Sequence, residues 1–427
     1  MTARDLRGRV PALFLAAGLM LAGCAGPGAP VQPLGQSSFA EYAGDTRRWI
    51  ESRRPLLASN AAEAEAEIDG NAPFEKKPAH PNGGGILLIH GLGDSPWTWR
   101  DQADALAAGG WLVRTVLLPG CGTVPADMTG PSAADWRRVV DEQARLLKRD
   151  LEARWGERAR IWLGGFSTGG NLALSYARSH DWIAGLVLFS PAVKIRTKLA
   201  FLAPLIAPFK TWLIDPGESK EGQRSLFRYE NVPTPGLAAF YSTMTEAQDA
   251  LEAGPYAKPV AAFLAAHDSV VLTSELLVDF DREFTHPSSR FFWYGPAPQA
   301  MAIPGAGSLS DRVVALPDAL PQWRIASFSH MALTYRPDNP LYGFHGTLRI
   351  CRTGQATALE EACRRHPEAV WFTSWGAPED GRAHARLTFN PWFDVQEAAM
   401  LEVMRSSLPA DQREEKPETP DQPTGEP

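Results

Sequence analysis

The 427-residue chain lacks a basic block, the first requirement of a nucleic-acid partner. Its 42 lysines and arginines are scattered among 49 aspartates and glutamates, for a formal charge of −7. It has only 4 cysteines and 9 histidines, none at zinc-binding spacing, and no His-Glu-x-x-His, so no metal is expected. Its glycine runs do not fit Gly-x-Gly-x-x-Gly and no Gly-Lys-Ser/Thr follows them, which argues against a nucleotide loop; no cofactor is expected. Internal repeats are absent, and beyond the N-terminus no apolar run is long enough for a membrane-spanning helix. What is present, 44% hydrophobic and 21% charged, is ordinary globular composition that can bury a sizeable core.

Arg4, Arg7 and Arg9 precede an apolar run, Pro11 to Gly23, too short for a bilayer and right for a signal peptide. The run ends Leu21-Ala22-Gly23-Cys24, which resembles a bacterial lipobox. That resemblance implies a signal peptide over residues 1–23 and Cys24 as the lipidated first residue of the mature chain. It also implies, with Ala25 rather than Asp next, anchoring at the periplasmic face of the outer membrane. Residues 24–45, Gly/Pro-rich over 25–37, read as a flexible tether, 46–406 as the folded domain and 407–427 as a disordered acidic, Pro-rich tail. In an oxidising envelope Cys351 and Cys363, close in sequence, can form a disulfide; free thiols are the alternative.

A short helix is expected at Phe39–Arg53. From Gly83 apolar strands alternate with helical patterns, the signature of a parallel α/β sheet. Strands are expected at Ile86–His90, Trp111–Leu118, Ile161–Phe166, Gly185–Phe189, Pro259–Ala266, Arg290–Tyr294 and Trp323–Ser329. Helices are expected over Pro96–Ala108, from Ser132 to Trp155, after Phe166 to Arg178, and over Ser274–Phe284. Residues 191–257 break the alternation and read as a helical cap, with an apolar run Leu199–Ile214 interrupted by Pro204 and Pro208. Further insertions fall at 296–322 and 338–388; the second holds strand-like runs at Thr347–Cys351, Ala369–Ser374 and Ala385–Phe389. An amphipathic helix at Pro391–Ser406 closes the domain.

Gly165-Phe166-Ser167-Thr168-Gly169 matches the nucleophile elbow Gly-x-Ser-x-Gly, with a strand before it and a helix after it. The glycines admit a strained strand-to-helix turn that exposes the Ser167 hydroxyl. A hydroxyl needs an adjacent base to become a nucleophile. In the chain order of this motif, serine then acid then histidine, four histidines lie well downstream: His330, His345, His366 and His384. His330 is the best base, being in a loop after an apolar stretch, and His345 the runner-up. Asp268, at the end of the Pro259–Ala266 strand, is the expected acid; Asp279 and Asp281 lie in a helical pattern and read as solvated, and His267 reads as a neighbour. His90-Gly91-Leu92, after the first strand, and Thr168, after the serine, offer the backbone N–H groups of Leu92 and Thr168 as an oxyanion hole.

The runs Leu87-Leu88-Ile89-His90-Gly91-Leu92-Gly93-Asp94-Ser95-Pro96 and Leu118-Pro119-Gly120-Cys121-Gly122-Thr123, with Trp136 and the elbow, resemble the carboxylesterase and monoacylglycerol-lipase branch of the α/β-hydrolases, often labelled serine aminopeptidase-like. The resemblance covers about residues 70–335. It implies an α/β-hydrolase fold and a serine hydrolase acting on small acyl esters through Ser167, His330 and Asp268. Cys121 departs from the pattern, standing where the family usually has His. A peptidase or amidase of the same fold is the nearest alternative; a non-catalytic envelope lipoprotein that keeps the fold as a scaffold is the alternative of another class.

Overall fold

Continuous apolar runs build the centre of the molecule. The computed structural model describes residues 29–214, 225–377 and 380–413. The expected signal peptide, Cys24 and most of the acidic tail lie outside them. Helices α1 (Phe39–Arg53) and α2 (Ala61–Asn71) lead into β1 (Glu75–Lys76), β2 (Gly84–Ile89), α3 (Arg100–Ala108), β3 (Leu112–Val116), α4 (Ala133–Trp155), β4 (Arg160–Phe166), α5 (Thr168–Ser179) and β5 (Ile183–Phe189). The cap follows with α6 (Ala203–Ile206) and α7 (Thr234–Glu252), then β6 (Val260–Ala265), α8 (Thr273–Glu283), β7 (Arg290–Tyr294) and β8 (Val313–Leu316). The C-terminal part holds α9 (Thr357–Arg365), β9 (Trp371–Thr373), β10 (His384–Arg386) and α10 (Phe393–Arg405).

One eight-stranded sheet runs in the order β1-β3-β2-β4-β5-β6-β7-β8, parallel except for β1. Because side chains alternate across a strand, its residues divide between two cores. Leu87 and Ile89 face a layer with Trp136 of α4, Leu172 of α5 and Leu276 of α8; Ile86 and Leu88 face Leu106 of α3 and Met400 of α10. Phe189, Phe263 and Phe292 are register partners on three neighbouring strands and stack at 4.8 and 5.2 Å. The long helix α4 starts at a capping box in which the Ser132 and Asp135 side chains each bond the other's backbone N–H. This is the α/β-hydrolase fold, with added C-terminal elements.

Several expectations need correction. Trp323–Ser329 is not a strand: Arg324 sits at φ +49°, which breaks an extended run, and the eighth strand is Val313–Leu316, inside the 296–322 insertion. Thr347–Cys351 forms no ladder; Leu348 N–H bonds Leu341 and Arg386 N–H bonds the Ile350 carbonyl, contacts that do not continue. The segment read as a tether packs on the body from Gln32, which is buried and donates to the Leu117 carbonyl (3.0 Å). Asp279 and Asp281 are not solvated: they pair with Lys194 (2.7 Å) and Arg312 (3.0 Å). Cys351 and Cys363 are joined by a disulfide with Cα atoms 5.8 Å apart, and Cys121 is buried and free.

The N-terminal helices are fastened by a buried ion pair. Arg54 Nε lies 2.6 Å from Glu67 Oε1, both side chains 1% exposed, and the guanidinium also donates to the carbonyls of Gly122 (3.1 Å) and Leu226 (2.6 Å). Glu67 in turn accepts from the N–H groups of Leu57 and Ala58. Removing the cation alone strands a buried carboxylate. Arg54→Met is therefore expected to cost about 3–5 kcal/mol in urea unfolding, and Arg54→Met with Glu67→Leu markedly less.

Candidate active site

Three strand ends converge on one cavity of about 570 Å³, lined by Gly91, Leu92, Ser167, Thr168 and His330 and by apolar cap residues including Leu199, Leu202, Ile206 and Phe240. Ser167 follows β4 at φ +54°, ψ −113°, a conformation rare for a residue with a Cβ. Its N–H bonds the Phe189 carbonyl (2.9 Å) and its carbonyl accepts from Ala192 (3.1 Å), so the turn is held from both sides. The flanking glycines are steric necessities. A Cβ at Gly165 would overlap the Gly169 backbone, and one at Gly169 would overlap the carbonyls of Ile89 and His90.

His330 lies in the loop that follows β8 at a distance. Its Nδ1 is 2.7 Å from Asp268 Oδ2, while Asp268 Oδ1 accepts from the N–H groups of Val270 and Val271, both at 2.8 Å. Burial alone would raise the Asp268 pKa; the His330 ring and the two N–H groups outweigh it and hold the carboxyl below its ordinary value. The N–H groups of Leu92 and Thr168 line the cavity and have no hydrogen-bond partner among the described residues. Thr168 also opens α5, so the positive end of that helix faces the same space.

The other named residues fall elsewhere. His345 and His366 are exposed and His384 is buried beside Asp380. His267 Nδ1 donates to Asp318 Oδ2 (2.6 Å), an oxygen that also accepts from Phe328 N–H (3.3 Å), two residues before His330. Asp318 thus links the loop of Asp268 to the loop of His330. The C-terminal elements hold that loop too. Ser329 Oγ donates to Leu387 O (2.6 Å), Ala326 N–H to Phe372 O (2.8 Å), and Phe328 stacks on Tyr294 at 5.1 Å. Sequence reasoning missed Asp318, and also Asp94 and Arg228, which line the cavity. Only Asp94 carried a local signal, its place in the loop after β2. No His/Cys/Asp/Glu cluster among the described residues could hold a metal ion.

His90 and Asp94 respond to acid in opposite senses. His90 Nε2 accepts from Leu118 N–H (3.0 Å) and Nδ1 donates to the Gly91 carbonyl (2.8 Å), tying the loop after β2 to the segment after β3. Burial holds its pKa down to about 4 and pushes Asp94 up to about 6, though the Arg228 charge opposes the latter. As pH falls from 6.5 toward 4, the unfolded chain protonates His90 before the fold does, and stability drops. From about 6 toward 3.8, folded Asp94 holds a proton that the unfolded chain has released, and stability rises. Asp94→Asn removes the second contribution alone. The variant's stability relative to wild type is expected to fall by about 3 kcal/mol between pH 7 and 4, read by urea unfolding across that range.

Residues 80–280 match the family model described as serine aminopeptidase, S33. A thermostable monoacylglycerol lipase from Bacillus sp. (strain H-257) is 34% identical over 130 residues, 30% of this chain; the chain spans about half, 47%, of that relative's length. Among solved structures, the metagenome-derived lipolytic enzymes LipS and LipT share 22% identity over 53% of this chain and 88% of theirs, with a TM-score of 0.41. The Paleococcus ferrophilus monoacylglycerol lipase shares 18% over 52% and 88%, with a TM-score of 0.40. By its sheet order and its elbow the chain has the α/β-hydrolase fold, and its central segment is similar to the serine aminopeptidase family model and to a monoacylglycerol lipase.

Proposed function

We propose that the protein is a serine hydrolase that cleaves carboxylic esters through an acyl-enzyme. The reading is carried by one observation: a hydrogen-bonded Asp268–His330 pair stands at the same cavity as a strained, cavity-lining serine and two unpartnered N–H groups. Ser167 Oγ attacks the ester carbonyl while His330 Nε2 takes its proton. Asp268 accepts a hydrogen bond from His330 Nδ1–H, fixing the tautomer and stabilising the imidazolium. The N–H groups of Leu92 and Thr168 receive the oxyanion. His330 then protonates the departing alcohol, and water, deprotonated in turn by His330, releases the acid. The apolar cap wall suits an acyl chain of a small ester.

The amidase or aminopeptidase alternative needs a carboxylate for the substrate's α-amine. Asp94 is in the cavity wall, but Arg228 lines the same wall and would repel an ammonium group, which favours the esterase reading. The membrane anchor is a separate part of the proposal: it rests on the lipobox-like run before Cys24, and labelling with a palmitate analogue that fails on wild type, or persists in Cys24→Ser, would remove it.

A fluorophosphonate probe is expected to label wild type and not Ser167→Ala, with ester turnover falling on the order of 10⁶-fold in that variant. Asp268→Asn is expected to lose about 10⁴-fold in kcat with the fold retained. Turnover of p-nitrophenyl esters well above that of aminoacyl anilides supports the esterase. The reverse order makes it a peptidase, and no labelling leaves the scaffold.

A further inference from the structure

The cavity lining is mostly apolar, with few charged side chains. One of them, Arg228 of the cap segment, has Nη1 2.6 Å from the sulfur of Met331, the residue after His330. His330 delivers its proton to the leaving alcohol, so a group beside Met331 is on the alcohol side. Arg228 is half-buried and forms no ion pair with a described carboxylate; Asp94, the acid of the same wall, acts on it only at longer range and has one oxygen bound by Ser95 N–H.

Arg386 lies within electrostatic reach of both Arg228 and Arg352. Arg386 is half-buried, its Nε has no hydrogen-bond partner, and one of its terminal nitrogens donates to the Arg352 carbonyl (3.2 Å). Its pKa is pushed down to about 10, first by burial and then by the like charges of Arg228 and Arg352, with Glu230 opposing. Glu230 is exposed. Mutually repelling guanidinium groups with an unused buried donor are destabilising unless an anion joins them. Arginine is the side chain that matches phosphate and carboxylate with paired N–H groups.

We propose that Arg228, backed by Arg386, forms an anion subsite for the alcohol portion of the substrate, so that the preferred esters carry a phosphate or carboxylate there. The inference rests on the hydrolase reading and sharpens it: the acyl chain lies along the cap and the anionic alcohol against Arg228.

The test compares three esters of one acyl chain at concentrations below micelle formation: monododecanoyl glycerol, monododecanoyl glycerol phosphate and the dodecanoyl ester of glyceric acid. Wild type is expected to favour one or both anionic esters over the neutral one by about tenfold or more in kcat/KM, chiefly through KM. Which of the two is favoured identifies phosphate or carboxylate as the source. Arg228→Gln should bring the anionic-to-neutral ratio close to one, and Arg228→Lys should restore part of it. A ratio that Arg228→Gln leaves unmoved, or an equal loss on all three esters, overturns the subsite. Fluorophosphonate labelling of both proteins in that case leaves the hydrolase reading standing; absence of labelling in wild type ends that reading and the subsite with it.

Discussion

The site depends on how closely three backbones approach one another at the end of the sheet. β2, the end of β4 and the first turn of α5 meet with no room for a Cβ at Gly165 or Gly169. Only that contact lets Ser167 hold its left-handed backbone conformation, a strain of order 1–3 kcal/mol that the surroundings must over-determine. They do so through the bonds of Ser167 to Phe189 and Ala192 and through the stacked phenylalanines that keep β5, β6 and β7 in register. Strand ends held this firmly put Asp268 and the oxyanion loop at fixed places relative to the hydroxyl.

Much of this was legible in the residues. Strands β2 to β7 sit close to the apolar runs that announce them, because a strand buried on both faces reads as a continuous hydrophobic stretch. The elbow was visible because glycine is forced at two of its five positions. What failed to show was structure made by distant partners. β8 is a short run of Val313, Val314, Ala315 and Leu316 inside a Gly/Pro-rich stretch, and only its pairing with β7 makes it a strand. Trp323–Ser329 has the composition of a strand, but its apolar residues pack into the lower core as an irregular loop. Asp318 and Arg228 become site residues only through contacts across long sequence distances, which no local pattern encodes.

The electrostatics around the cavity follow from the burial of its charged groups. His90 and Asp94, four residues apart, are both fully enclosed, and each is moved toward its uncharged form. Asp268 is equally enclosed yet moves the other way, because it has a cationic partner in waiting and two N–H donors. The difference between Asp268 and the other two lies in its partners, the charge of the His330 ring first and the hydrogen bonds after it, rather than in depth. One loop and one strand end therefore hold a neutral imidazole and two carboxylates that respond to acid in opposite ways.

The anchoring of the His330 loop on Phe372 and Leu387 also orders events during synthesis. The serine and the carboxylate are made long before the segment that seats the base, and the disulfide between Cys351 and Cys363 precedes both anchor points in the chain. A nascent polypeptide can pair its central strands while the base remains unplaced. On the proposed function, hydrolytic competence would arrive last, when nearly the whole chain has emerged, and a partly made protein would carry Ser167 without a seated His330.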